Sequence, residues 1–382
     1  MHAVDEFAWR GIEYDATEGL RQRLDQEPVT VYAGFDPTAA SLHVGSLMPI
    51  LGLARMQRLG HAPIALVGGG TGLIGDPSGK VSERQLLDAG QVGEHVSALR
   101  VQLERFLDFG PGPRAARLID NAEWLRGLGA LEFMRDVGKH FTVNYMLAKE
   151  SVKGRIARED GISYTEFSYL LLQAYDYLVL HDRLGCALQI GGSDQWGNIT
   201  AGIELIRRVR GARVHGLVMP LVTTASGTKF GKTEAGTIWL DAALTTPFEF
   251  YQFWLNTDDR DVLRYLRYFT FLDEVAIGDL SREVADHPER RVAQRVLAVE
   301  VTRLVHGEDA VRASETATAT LFSGRPSEMG AAELLQVFAS VPSVTVAPAP
   351  GGWAVSDLAV LVGAVKSKGE SARLIRSGGL YL

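Results

Sequence analysis

Ala187-Leu188-Gln189-Ile190-Gly191-Gly192-Ser193-Asp194-Gln195-Trp196-Gly197-Asn198 reads as a short strand that runs into a glycine pair, a polar turn and a helix beginning near Ile199. Paired glycines let a ligand approach the backbone, and a carboxylate at the end of a parallel strand is well placed for a ribose hydroxyl. Just upstream, an apolar helix from residue 163 carries Tyr169, Gln173 and Asp176 within roughly 60° of one another on its surface. Their neighbours (Phe167, Leu170, Leu171, Ala174, Leu178) are apolar, so the polar groups are buried and need partners. The two pieces together predict a polar pocket for a small molecule; the ordinary alternative is a self-satisfied polar network in a core.

Towards the N-terminus, Val29 to Phe35 reads as a buried strand, and Asp36-Pro37-Thr38 leads through His43-Val44-Gly45-Ser46 into a helix reaching about Leu59. A second strand, Ile64 to Val67, opens the glycine-rich turn Gly68 to Lys80. Strand, glycine turn, helix, strand is the rhythm of a doubly wound parallel sheet. His43 and Ser46 lie one turn apart near a helix N-terminus, where free backbone donors favour phosphate. A capped surface histidine is the alternative. Asp76, in the glycine loop, is a candidate partner for an ammonium group, or else part of a simple Asp-Pro turn.

One or two surface helices are expected over 5–27, an amphipathic helix over 91–109 and a short strand at Arg117-Leu118-Ile119 with Asn121 at its end. Residues 122–160 read as a helical insertion between the halves of the sheet, suited to a partner surface. The basic runs Lys149, Lys153, Arg155, Arg158 and Arg207, Arg208, Arg210, Arg213 read as solvated faces. The last strand of the sheet is Leu217-Val218-Met219. Beyond it Lys229-Phe230-Gly231-Lys232-Thr233 is a cationic clamp suited to polyphosphate. Helices starting at Pro247, 258 and 290 form a helical domain below the sheet, and a proline-bearing, charge-poor linker covers 326–352. The final segment carries Lys366, Lys368, Arg373 and Arg376 and closes on a strand-like Gly378 to Leu382.

The 382 residues make two or three domains, and a formal charge of −7 gives no general pull towards polyanions, so any nucleic-acid contact is local. The one cysteine, Cys186, fits a reduced compartment and a packing role. With no apolar run of membrane-spanning length and no signal-peptide pattern, a soluble cytoplasmic protein is expected.

In order along the chain, Tyr32 to Thr38, His43 to Ser46, Thr71 to Lys80, Gln173 to Asp176, Gln189 to Asn198 and Lys229 to Thr233 resemble the bacterial tyrosyl-tRNA synthetases, a class I aminoacyl-tRNA synthetase family, over essentially the whole length. The resemblance implies a Rossmann-type catalytic domain over 1–222 with a dimerisation insertion at 122–160, and a lysine loop and anticodon-side helical domain over 223–325. After the linker it implies a small α+β RNA-binding module over 353–382. That module looks cut short at Leu382, by reduction or by truncation, and tRNA affinity is what the shortening touches. The implied activity is tyrosine–tRNA ligation with ATP and Mg2+, in a homodimer that binds tRNA(Tyr) and no membrane.

The resemblance also implies roles. Tyr32 and Asp176 hydrogen-bond the substrate phenol; Asp76, Tyr169 and Gln173 hold its ammonium; Gln195 positions its carboxylate, supported by Asn121. Gly34, Asp36, Gly192 and Asp194 line the ribose and adenine, while Thr38, His43, Ser46, Lys229, Lys232 and Thr233 meet the phosphates. A pocket built for a hydroxyl rejects phenylalanine by roughly 10⁴–10⁵, a magnitude established on tyrosyl-tRNA synthetases themselves and not obtained from these residues. Ser46 stands where the family signature commonly has a second histidine, Ala33 where some relatives have a thiol, and Pro49 falls in the first turns of its helix, where a missing amide costs least. A tryptophanyl enzyme shares the architecture, but an indole cannot satisfy the Tyr32–Asp176 pair. An RNA-binding protein without catalysis would have little use for His43 and the two lysines.

Overall fold

A computed structural model describes residues 2–78, 87–158, 161–227, 230–233, 236–323, 330–331, 334–335, 344–349 and 351–380. Its centre is a six-stranded sheet: β1 (Asp15–Ala16), β2 (Thr30–Phe35), β3 (Ala62–Val67), β4 (Arg117–Asp120), β5 (Cys186–Gly192) and β6 (His215–Met219), in the order β1-β6-β5-β2-β3-β4. All neighbours are parallel except β1, which runs antiparallel to β6 along the edge. From β2 the chain winds outward through β3 to β4, then returns to place β5 on the other flank of β2. The order therefore reverses between β2 and β5, and the crevice beyond their carboxyl ends is where such sheets bind ligands. β3 is almost wholly buried and reads as a continuous apolar run, as a strand covered on both faces must.

One face of the sheet packs on α3 (Leu47–Arg58), which follows α1 (Ala3–Trp9) and α2 (Leu20–Gln26). After α4 (Ala89–Leu103), the insertion forms α5 (Ala122–Leu125), α6 (Ala130–Asp136), α7 (Val143–Leu147) and α8 (Glu150–Ile156). The other face is covered by α9 (Tyr164–Leu184) and α10 (Trp196–Arg210). Ser163 caps α9 by accepting from the Glu166 amide, and Gly185 closes it at φ 63°, a left-handed conformation that glycine adopts without strain. Helices α11 (Pro247–Leu255), α12 (Asp259–Phe269), α13 (Glu274–Asp286) and α14 (Val292–His306) follow, then α15 (Glu308–Ser323).

Met1–Arg312 forms one compact unit, so the boundary expected at 222/223 falls inside it; one apolar cluster runs from α3 and the sheet through Phe250, Trp254, Leu266 and Leu297. Two arginines tie this contact. Arg10 donates to the carbonyls of Arg267 (3.0 Å), Thr270 (3.2 Å) and Leu272 (2.9 Å), and Arg55 to those of Tyr268 (2.7 Å) and Thr270 (2.9 Å). They satisfy the free carbonyls at the C-terminus of α12 and meet its negative dipole end. Burial, with Arg10 alongside, lowers the Arg55 pKa to about 9.

Ala313–Leu382 is a second unit. Most of the expected linker lies outside the described residues. Beyond it are α16 (Val355–Leu361) and α17 (Lys368–Arg376), the latter capped by Ser367. The strand-like ending is not borne out at 378–380, which carry a turn and irregular backbone; among the described residues no strand pairs with them, so no ladder holds them extended. Residues 381–382 lie outside the described residues. No described helix is long and apolar enough to cross a membrane.

Several other elements differ from the sequence reading. β1 is only two residues long, too short to show a periodicity, and exists through its pairing with β6. β5 extends through the glycine pair, and α10 begins at Trp196 after a 3₁₀ turn over Ser193–Gln195. Helices α13 and α15 were not anticipated. Arg155 is not on a solvated face: it pairs with Glu166 at 2.8 Å with both side chains at most 4% exposed, which ties the insertion to the start of α9. Arg155→Ala should cost about 3–5 kcal/mol by leaving Glu166 buried and uncompensated, whereas Arg155→Met with Glu166→Leu should recover most of that loss; urea unfolding of the two variants beside the parent protein checks it.

Candidate active site

Tyr32 rises from β2 under α9, its ring 5.2 Å from that of Tyr177. It is fully buried and its hydroxyl has no hydrogen-bond partner. Gln189, its register neighbour on β5, is also buried and its Oε1 is likewise unpartnered. A buried donor and acceptor left unpaired each cost free energy that a ligand can return.

Asp176 on α9 lies close enough to Tyr32 to act on its ionisation. Asn121 donates to one carboxylate oxygen (2.9 Å) and the Trp124 indole to the other (2.8 Å). Asn121 is itself fixed: its Oδ1 accepts from the Gly70 amide (2.8 Å) and its amide donates to Thr71 Oγ1 (3.0 Å). Burial pushes the Asp176 pKa up to about 7, with the Asn121 and Trp124 hydrogen bonds opposing and the carboxylates of Asp36 and Asp120 reinforcing. Burial, and then nearby carboxylates, also hold the phenols of Tyr32 and Tyr169 well above their usual range, so both remain neutral donors.

A second polar group sits beside the first. Gln195 donates to Asp76 Oδ2 (2.7 Å) and the Ser78 amide to Asp76 Oδ1 (2.9 Å). Asn198 reaches the side-chain oxygens of Gln173 and Gln195, each at 3.1 Å, and Gln173 donates to Gln195 Oε1 (3.3 Å). Tyr169 leaves this group and donates to Asp36 Oδ2 (2.8 Å), whose other oxygen accepts from Thr71 (2.9 Å). The residue expected at the ammonium is thereby joined to the one expected at the nucleotide.

Towards solvent the crevice is lined by backbone. Gly34 is exposed, and a Cβ there would have open space, whereas one on Gly192 would come within 2.6 Å of Asp194 Oδ1. Leu221, exposed despite being apolar, borders Gly192. Thr38 is exposed just past Asp36. His43 is exposed and accepts the Gly45 amide at Nδ1 (3.0 Å), and Ser46 Oγ accepts from the His43 amide (3.4 Å). The reciprocal pair is a capping box, so Ser46 has a structural task a hydroxyl performs well. Lys232 and Thr233 lie on β7 (Lys232–Thr233), paired with β8 (Gly236–Thr237), while Lys229 and the 79–80 end of the glycine loop lie outside the described residues.

Most of the predicted residues therefore converge around the β2–β5 crevice. Trp124, Thr71, Ser78, Asn198 and Gln189 lie there without having been given roles; all but Trp124 stood inside quoted motifs. Trp124 belongs to the insertion, where a partner surface was expected.

A doubly wound sheet with a glycine-lined edge at its switch point, beside a buried hydroxyl without a partner and a gathered acid–amide group, is the arrangement of a nucleotide-dependent enzyme that acts on a small polar molecule. The sequence matches the family described as tRNA synthetases class I (W and Y) over residues 24–323. It is 55% identical to the tyrosine–tRNA ligase of Roseiflexus castenholzii over 99% of this chain and 90% of that one, and 54% identical to the tyrosine–tRNA ligase of Geobacillus stearothermophilus over 100% and 91%. Among solved structures, a C-terminally truncated mitochondrial tyrosyl-tRNA synthetase of Aspergillus nidulans superposes with a TM-score of 0.75 at 32% identity, covering 84% of this chain and 94% of that one. The chain belongs to the class I tRNA synthetases, in their bacterial tyrosyl-tRNA synthetase family.

The Asp176 pKa has a consequence for stability. The folded protein holds a proton there up to about pH 7, while the unfolded chain releases it near 4. The native state thus binds more protons between those values, and this group's contribution is full below about pH 4 and is lost as pH rises to about 7. Asp176→Asn should flatten that decline; denaturant unfolding of the ligand-free protein between pH 4 and 8 tests it, and equal slopes in the two proteins would refute it.

Proposed function

We propose that this site activates L-tyrosine with ATP and passes the tyrosyl group to tRNA. The observation that carries the reading is the buried, unpartnered Tyr32 hydroxyl beside Asp176. A phenol there accepts from Tyr32 and donates to the Asp176 carboxylate, and neither phenylalanine nor tryptophan can do both. Asp76 and Gln173 receive the ammonium. Tyr169, whose proton is directed to Asp36, offers its oxygen lone pair to the same group. Gln195 orients the carboxylate.

ATP lies along Gly34, Asp36, Gly192 and Asp194, with its phosphates towards Thr38, His43 and the Lys229 to Thr233 segment. Magnesium enters as part of the nucleotide substrate. A tyrosine carboxylate oxygen attacks the α-phosphorus; the new C–O–P bond forms as the bond to the bridging oxygen breaks and pyrophosphate leaves. A hydroxyl of the terminal tRNA ribose then attacks the tyrosyl carbonyl and AMP departs. No protein nucleophile is needed, so the rate comes from alignment and from cations placed where charge develops.

Leu131 (84% exposed), Met134, Val143 and Ile156 leave an apolar face on the insertion, which supports its use between two copies in a homodimer. Of the basic runs, Arg155 is committed to Glu166, Arg207 and Arg208 share Glu204, and Arg210 holds Asp182, while half-buried Lys149 donates to Thr200 on α10 (3.1 Å) and is a candidate for an RNA phosphate. The C-terminal unit adds Lys366, Lys368, Arg373 and Arg376 as an RNA-facing set, and the cytoplasm is the compartment in which this chemistry takes place.

Exchange of labelled pyrophosphate into ATP should occur with tyrosine, and not with phenylalanine or tryptophan, in the absence of tRNA; a folded preparation inactive with all three overturns the assignment. Tyr32→Phe should raise KM for tyrosine about 10-fold by removing one hydrogen-bond donor, with little change in KM for ATP. Leu131→Arg should shift the protein towards monomer in sedimentation, and an unchanged dimer would clear that face of the role.

A further inference from the structure

Phe230 stands between the two lysines of the cationic segment, yet it is 6% exposed. Its ring lies in a box of four others: Phe253 (5.6 Å) and Trp254 (5.6 Å) from α11, and Tyr265 (5.0 Å) and Phe269 (5.2 Å, nearly parallel) from α12. The next residue, Gly231, has φ 77°, and a Cβ there would come 2.5 Å from Val44 Cγ2. Only glycine fits this position, on both conformational and steric grounds. Gly231 therefore rests against the residue that follows His43.

The chain is fixed on both sides of this point. Upstream, the Thr223 carbonyl accepts from Arg264 (2.7 Å) and from the hydroxyl of Tyr265 (3.1 Å), and the Ala225 amide donates to Asp261 (2.7 Å). Downstream, the Ile238 amide donates to the Gly231 carbonyl (3.0 Å), the Val44 amide to the Ile238 carbonyl (3.0 Å) and the Leu240 amide to the Leu42 carbonyl (2.8 Å). His43 and Trp239 form a β-bridge. Tyr265 serves both sets of contacts, ring to Phe230 and hydroxyl to Thr223.

We propose that Phe230 is a positioning residue for adenylate formation: seated in the α11–α12 aromatic box, it holds the lysine segment to a fixed point beside the His43 turn, so that Lys232, two residues on, works from a fixed pivot. The proposal rests on the reading of Lys232 as a phosphate-binding group. An ordinary core aromatic would affect stability alone. A pivot next to the reacting phosphates affects the rate through geometry, and a displacement on the scale of 1 Å costs about 10²-fold.

The test is a double-mutant cycle on tyrosine-dependent pyrophosphate exchange, using Phe230→Ala, Lys232→Ala and the pair, with tyrosine binding followed by fluorescence to establish that each variant is folded. Phe230→Ala should lower kcat about 10²-fold with KM for tyrosine unchanged, Phe230→Leu should recover most of it, and the double variant should be little worse than Lys232→Ala. Losses that multiply in the double variant, or a native kcat in Phe230→Ala, overturn the proposal. A native rate in Lys232→Ala instead overturns the lysine's role; the same cycle with His43→Ala then decides the pivot, since multiplied losses there would remove it too. If Phe230→Ala does not fold, Phe230→Val, which also removes the ring, carries the cycle with the same criteria.

Discussion

A buried phenol hydroxyl without a partner, set against a buried carboxyl group, is the constraint on which the catalytic half of this protein depends. Tyr32 and Asp176 come from a strand and a helix far apart in the chain, and the sheet order β5-β2-β3 brings them together. A hydroxyl left unpaired costs about 1–3 kcal/mol, and within the protein Tyr32 has no hydrogen-bond partner for it. Everything around the pair limits relaxation: Asn121 and Trp124 occupy both oxygens of Asp176, and Asn121 is locked in turn to Gly70 and Thr71.

A second constraint lies on the opposite face of the sheet. Arg10 and Arg55 gather the end carbonyls of α12, and a continuous apolar cluster joins α12 and α14 to α3. The helices that hold the aromatic box around Phe230 are thus built into the same unit as the strands that hold the pocket. Rigid attachment of both parts to one core is what lets a charged segment and a binding pocket be aligned to within the tolerance that in-line attack on phosphorus demands.

Much of the site was legible because its chemistry is concentrated in short polar interruptions of apolar segments. The Tyr169, Gln173 and Asp176 stripe needed only helical geometry, and the glycine pair at 191–192 needed only the knowledge that a Cβ would fill the crevice. The rest was hidden for specific reasons. Trp124 donates to Asp176 from a helix of four residues inside an insertion, where an apolar-looking indole gives no sign of a hydrogen bond. Arg155 sits in a basic run, and only packing against α9 reveals that its charge is spent on Glu166. Ser46, conspicuous as a departure from the family signature, turns out to complete a capping box with His43. Tyr169 and Asp36 were assigned to different ligand groups, and the structure joins them in the ligand-free site by one hydrogen bond.

The sequence alone determined the doubly wound character of the sheet, its five parallel strands and the turns after them along the chain, and the kinds of groups at the crevice, because apolar periodicity and glycine placement are local properties that survive without knowledge of contacts. Tertiary structure alone decided which polar groups would be satisfied. Whether Tyr32 keeps a free hydroxyl, whether Asp176 titrates near neutrality, whether an arginine faces water or a buried glutamate, and whether Phe230 swings or is held are all set by burial and by partners distant in sequence. The energy of a polar group depends on what surrounds it, and those surroundings exist only once the chain has folded.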